Sequence, residues 1–87
     1  MKEEIDALLD HAKMLLLANN YEEAEKVLKK ILKMDRENID ALFHLGILYE
    51  AINEYEKAKE IYLKIIEKEP DNKDVKERLN KLQNEGF

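Results

Sequence analysis

The chain has 87 residues, 40% of them charged and 45% apolar, with a net charge of -5 and no cysteine. That length suits one small domain with a modest core, and the apolar share is too high for a disordered acidic tail. The acidic balance argues against a nucleic-acid partner, the missing thiols exclude disulfides and thiolate metal sites, and no stretch approaches the ~20 apolar residues of a membrane span.

The first element is expected to run roughly over 2–18 as a helix. Its opening, MKEEIDALLD, is acidic and lacks the regions of a signal peptide, so a cytoplasmic setting is expected. Its end is unusual: Met14, Leu15, Leu16 and Leu17 are turned about 100° from one another and point in four directions. An amphipathic helix needs only one apolar stripe, so something beyond one neighbour must explain these leucines. Asn19 can take the left-handed conformation that ends the helix. Asn20 is expected to cap a second helix over 21–34, with Glu23 completing a capping box. Val27, Leu28, Ile31 and Leu32 make that helix one-sided. Asn38 is placed to cap a third helix over roughly 39–52, which Asn53 ends. A fourth, over 55–68, repeats the one-sided pattern with Ile61, Tyr62, Ile65 and Ile66, and Pro70 follows it. Asn72 is placed to cap the fifth, over roughly 73–85, and Gly86 can turn Phe87 back against Leu82. The pairs Glu22–Lys26, Glu25–Lys29 and Glu60–Lys64 have the spacing that supports exposed helix faces. Abundant Glu, Lys and Ile without Cys or Trp fits a thermophile source or an idealised design.

The breaks recur at equal distances. A shift of 34 residues superposes IDAL at 5–8 on IDAL at 39–42. It also superposes Asn19, Tyr21, Glu22, Ala24, Lys30, Ile31 and Asn38 on Asn53, Tyr55, Glu56, Ala58, Lys64, Ile65 and Asn72. A third unit starts at Lys73 and keeps Asp74, Leu79 and Leu82. The chain is therefore an internal repeat of helix pairs, with repeat one at 5–38, repeat two at 39–72 and a last helix at 73–85.

In residue type and period this resembles the tetratricopeptide repeat (TPR). Leu45-Gly46, Tyr49, Ala58, Tyr62 and Pro70 fall at the family spacings, with Leu42 in place of the tryptophan. Repeat one is looser, keeping Leu8 and Ala24, while His11, Ala12, Leu15 and Arg36 replace the leucine, glycine, tyrosine and proline. Gly46, Ala12, Ala24 and Ala58 are small where paired helices must approach closely. The resemblance implies an all-α fold, an α-solenoid of two helix-turn-helix hairpins and a capping helix in a right-handed superhelical stack. Val75, Leu79 and Leu82 give that last helix one apolar face and leave the rest polar, as a solenoid's end requires.

The family's arrangement also implies which side chains matter. Leu8, His11, Ala12, Met14 and Leu15 are expected in the core. Asp6, Leu9, Asp10, Lys13 and Leu16, with Leu17 at the edge, are expected on a concave groove. Asp40, Phe43, His44, Ile47 and Glu50 continue it on the third helix, and Asp74, Glu77, Arg78 and Lys81 on the fifth. Leu9, Leu16, Phe43 and Ile47 form its apolar floor; Asp6, Asp10, Asp40, Glu50 and Asp74 give it an acidic rim. TPR domains that hold acidic chaperone tails use a clamp of Lys, Asn and Arg. Here Leu9, His44 and Asp74 stand in clamp slots and only Arg78 fits, so that ligand is disfavoured. Tyr21, Tyr49, Tyr55 and Tyr62 read as packing groups with wet hydroxyls. Neither His11 nor His44 has a convincing ligand set around it, and no nucleophile or cofactor motif accompanies the carboxylates, so no enzyme activity, metal or cofactor is expected.

Two functions compete. The first is a protein-binding module that docks an apolar or amphipathic peptide or helix, with no nucleic acid or membrane partner. The second is a minimal structural or designed scaffold without a ligand, a monomer or weak homodimer that could self-associate through Leu8, Leu9, Leu16 and Leu17.

Overall fold

The computed structural model describes residues 1–84, so the expected turn at Gly86 and Phe87 lies outside the described residues. Five helices follow one another: α1 (Lys2–Leu17), α2 (Tyr21–Met34), α3 (Ile39–Ala51), α4 (Tyr55–Lys68) and α5 (Lys73–Asn84). No strand occurs among the described residues. Each helix packs on the next, and α1 also touches α3, so two hairpins are layered and α5 closes the second.

Two kinds of junction alternate, and each is made twice from the same chemistry. The hairpins α1–α2 and α3–α4 turn at Asn19 and Asn53, which have φ values of 60° and 64°. Asn19 N–H donates to the Leu16 carbonyl and Asn20 N–H to that of Leu15; Asn53 and Glu54 donate likewise to Glu50 and Tyr49. These are Schellman closures in which asparagine takes the left-handed position usually given to glycine. Tyr21 and Tyr55 then donate their hydroxyls to the Asn19 and Asn53 side chains at 2.9 and 2.6 Å, holding them in that conformation. The junctions between repeats use an N-cap instead. The Asn38 side chain accepts from Ala41 N–H at 2.9 Å and Asn72 accepts from Val75 N–H at 3.1 Å, as expected from the sequence. Each cap is steadied from behind, Asn38 donating to Asp35 and Asn72 to Glu69.

The expected capping box of α2 does not form. Asn20 makes no side-chain cap, because it is already committed as the residue that closes the Schellman turn, and Glu23 instead pairs with Lys26 at 3.7 Å. Lys26 is thus not bound to Glu22. Of the expected helical ion pairs only Glu25–Lys29 forms, at 3.2 Å, and Glu60 and Lys64 are not paired among the described residues.

The core is one continuous cluster. Ala12, Ala24, Leu28 and Ile31 fill the first hairpin; Ala41, Leu45, Leu48, Ala58, Tyr62 and Ile65 fill the second; Val75, Leu79 and Leu82 come from α5. Gly46 has a specific reason to be glycine. A Cβ there would press into the Tyr62 ring, 2.8 Å from Cζ, 2.9 Å from Cδ1 and closer still to Cε1. The missing methyl is the slot that lets a buried tyrosine lie flat against α3.

Register explains where the core departs from expectation. His11 and Met14 are exposed, Met14 by 67%, although their repeat-two equivalents Leu45 and Leu48 are buried. The residue types are those of a packed face, but α3 has α2 lying on that face and α1 has no helix there. Leu8 and Leu15 keep half their contact and only Ala12 of the expected set is fully buried. Leu9 departs the other way. It is 7% exposed and belongs to the core rather than to an open groove floor.

Candidate interaction surface

α1, α3 and α5 are the first helices of successive units, and the expected groove residues lie on them. Of the expected apolar floor, Phe43 and Ile47 on α3 and Leu16 on α1 are half-buried. Leu16 and Phe43 lean on the core while keeping an exposed side. Leu17 is 86% exposed at the far end of α1. Of the other expected groove residues, Asp6, Asp10, Lys13, Asp40, Asp74, Glu77 and Lys81 are exposed.

Side chains not anticipated from the sequence as a unit tie α3, α4 and α5 together. The Tyr62 hydroxyl, rising from the buried ring, donates to Glu50. Arg78 Nη1 donates to the same Glu50 Oε2 at 3.1 Å, and its guanidinium lies over the Phe43 ring, 5.5 Å from the centroid. Glu50 is therefore shared between a tyrosine and an arginine. Arg78, the one residue that suits a carboxylate clamp, is already neutralised by a partner within the chain. Burial, and then the bond to Glu50, push the Tyr62 phenol well above its ordinary range. A parallel bond joins α3 to α2: Tyr49 donates to Glu25 at 2.7 Å, and burial followed by that carboxylate raises the Tyr49 phenol likewise. The same hydroxyl holds the Glu25 carboxyl below its usual range, against the opposing effect of desolvation. Tyr49 and Tyr62 thus have bonded, not wet, hydroxyls. The sequence signal for this network was available in Gly46, whose vacancy leaves room for a ring on α4 directly below Glu50.

His44 stands beside Phe43 in an ordered pose. Its Nδ1 donates to the Asp40 carbonyl at 2.7 Å, and its ring meets Phe43 edge-on at 5.7 Å. A carbonyl can only accept, so Nδ1 carries a proton. Among the described residues no group of three His, Asp or Glu side chains could hold a metal.

A second concavity lies across the molecule, between α2, α3 and α4. Leu32, Leu42, Leu45, Tyr49 and Ile61 line it together with charges of both signs, Glu37 being paired there with Lys68.

A sequence profile described as tetratricopeptide repeat matches residues 5–82, nearly the whole chain. The chain belongs to the tetratricopeptide repeat family. TPR units are in general non-catalytic protein-interaction modules, and the five stacked helices are those of a TPR-like array. No curated protein matches the chain. No helix among the described residues is long and apolar enough to cross a membrane.

Proposed function

We propose that this TPR chain is a non-enzymatic docking module that binds an apolar or amphipathic helical segment of another protein on the face of α1, α3 and α5. A cytoplasmic setting belongs to the same proposal, on the cysteine-free composition. The observation that supports it is the half-buried set Leu16, Phe43 and Ile47, which stands within a ring of exposed charges. An apolar patch rimmed by polar groups is the usual form of a contact surface. Helix-in-groove docking uses such a floor for apolar anchors at i, i+3, i+4 and i+7. The test is a fluorescence-anisotropy titration with a labelled amphipathic peptide, comparing the chain with Ile47→Glu and Leu16→Glu. Both variants are expected to lose binding, and Ile47→Glu to keep its melting temperature, since the equivalent positions Lys13 and Lys81 already carry charge. Unchanged affinity in both would end the proposal.

Self-association is a second reading, favoured by the outer edge of α1. Ala7, His11 and Met14 are exposed there, whereas their equivalents Ala41, Leu45 and Leu48 are buried under α2. Leu9 is buried and Leu8 and Leu16 are half-buried, so among the expected self-association residues only Leu17 is fully open. Light scattering from micromolar to near-millimolar concentration separates the readings. A dimer dissolved by Met14→Glu supports this one, and a monomer throughout sinks it.

A further inference from the structure

The 34-residue register aligns more than the core. Asp6, Asp40 and Asp74 are equivalent positions of the three units, one on each of α1, α3 and α5, and all three are exposed. They form a row running across the helices along one rim of the proposed docking face, a row as regular as the stack itself. The apolar centre, Leu16, Phe43 and Ile47, lies beside it. Ile47 belongs to a second row of equivalent positions, whose other members are Lys13 and Lys81, so that row carries positive charge at both ends.

Helix stability does not account for the acidic row. Asp40 and Asp74 lie in the first turns of α3 and α5, where an acid complements the helix dipole. Asp6 has no such role, because α1 begins at Lys2 and its first-turn acids are Glu3 and Glu4. Elsewhere among the described residues six carboxylates are ion-paired and ten, Asp10 and Glu77 among them, are not. Glu23, Glu25, Glu37, Glu50, Glu56 and Asp71 each hold a lysine or arginine. Among the described residues none of the three row aspartates forms an ion pair.

We propose, on the strength of the docking reading above, that the occupant is a basic amphipathic helix of a partner protein. Its apolar stripe covers Leu16, Phe43 and Ile47, and its lysines or arginines, repeated about every seven residues along one flank, meet Asp6, Asp40 and Asp74 in turn. The spacing follows from geometry. α1 touches α3, and Asp40 and Asp74 line one cleft with Phe43, so row members recur at about one helix diameter, about 10–12 Å. On a helix seven residues advance about 10.5 Å and return to the same side. Charge sidedness then fixes which way round the partner lies, since reversal would bring its basic flank against Lys13 and Lys81. The internal pairing of Arg78 with Glu50 fits the same occupant, because the guanidinium among the candidate residues is already held by a carboxylate.

The test uses three labelled peptides of about 21 residues, three heptads, with one leucine stripe. One carries lysine at every seventh position on a single flank, one carries glutamate there, and one has the same lysines scattered over the polar face. The flank-lysine peptide is expected to bind most tightly and to weaken with added salt, as screened charges do. Three exposed pairs are together worth about tenfold in affinity. That factor should vanish in a triple Asp6→Asn, Asp40→Asn, Asp74→Asn variant. Asp6→Asn alone, outside any first turn, is expected to lose about twofold with no change in melting temperature. Equal binding of the lysine and glutamate peptides, both abolished by Ile47→Glu, overturns the charge reading and leaves the docking face standing. Equal binding of the flank-lysine and scattered peptides overturns the register. Binding of none of the three removes this inference and the docking reading together.

Discussion

Gly46→Ala opposes two familiar effects, and the geometry decides between them. By propensity alone the change should stabilise α3 by about 1 kcal/mol, because glycine is poor in helix interiors. The new methyl, however, falls 2.8 Å from Cζ and 2.9 Å from Cδ1 of Tyr62. Those are ring atoms of a fully buried residue, not the end of a mobile chain. Overpacking of this kind costs about 1–3 kcal/mol. Pushing the ring aside also strains its hydroxyl bond to Glu50, a hydrogen bond to a charged group worth about 1.5–3 kcal/mol. The expected net loss is about 1.5–5 kcal/mol, enough to lower the melting temperature of a domain this size by at least about 6 °C. Repeat one shows the remedy, since Ala12 and Leu28 occupy the equivalent positions and both are buried. The double variant Gly46→Ala, Tyr62→Leu should therefore be more stable than Gly46→Ala alone. Thermal and urea unfolding followed by circular dichroism measure all four corners of the cycle. A higher melting temperature for the single alanine variant, or strict additivity across the cycle, would refute the steric argument.

Three further outcomes are expected. Asn53→Ala should cost about 1–2 kcal/mol, from a left-handed residue with a Cβ and a lost bond from Tyr55; Asn53→Gly should lose less, and urea midpoints for the pair would expose the idea if the order were reversed. Stability should fall at both ends of the pH scale. Glu25 titrates below its unfolded value, so its contribution is present above about pH 4.3 and lost as pH falls through the folded value. Tyr49 and Tyr62 titrate above theirs, so their contribution is present below about pH 10 and lost as pH rises beyond it. Tyr49→Phe should flatten both arms in a pH series of urea midpoints, and identical slopes in the variant would contradict the assignment. Arg78→Ala should cost about 1 kcal/mol, from a partly exposed ion pair and a stacked Phe43, with faster amide exchange confined to α5; acceleration in α1 instead would show that the contact does not anchor the last helix.

The helices were legible because their ends are chemical. Asn19 and Asn53 announce left-handed residues, and Asn38 and Asn72 announce caps, each within a few residues of local sequence. Asn20 misled for a related reason: it has a capping side chain but serves the end of the previous helix through its backbone. The faces of α1 were less legible. Met14 and Leu48 hold the same place in the same pattern, yet one is 67% exposed and the other 0%, because exposure depends on whether a neighbouring helix lies over that side. A repeat encodes the kind of face and not the presence of its cover. The Tyr62–Glu50–Arg78 contact joins residues 12 and 28 positions apart, a separation at which no local pattern speaks.

The two junctions between units share one design, an asparagine cap held by an acid three residues earlier: Asp35 with Asn38 and Glu69 with Asn72. Inserting a copy of residues 39–72 after Asn72 would hand α5 the same cap it has now, and would give the new unit that same Glu69–Asn72 cap. Length in this chain is thus a discrete variable, changed without strain in steps of 34 residues and disrupted by any other step. A gene duplication that respects that step lengthens the acidic row by one aspartate each time, so reach along a partner helix and array length are inherited together.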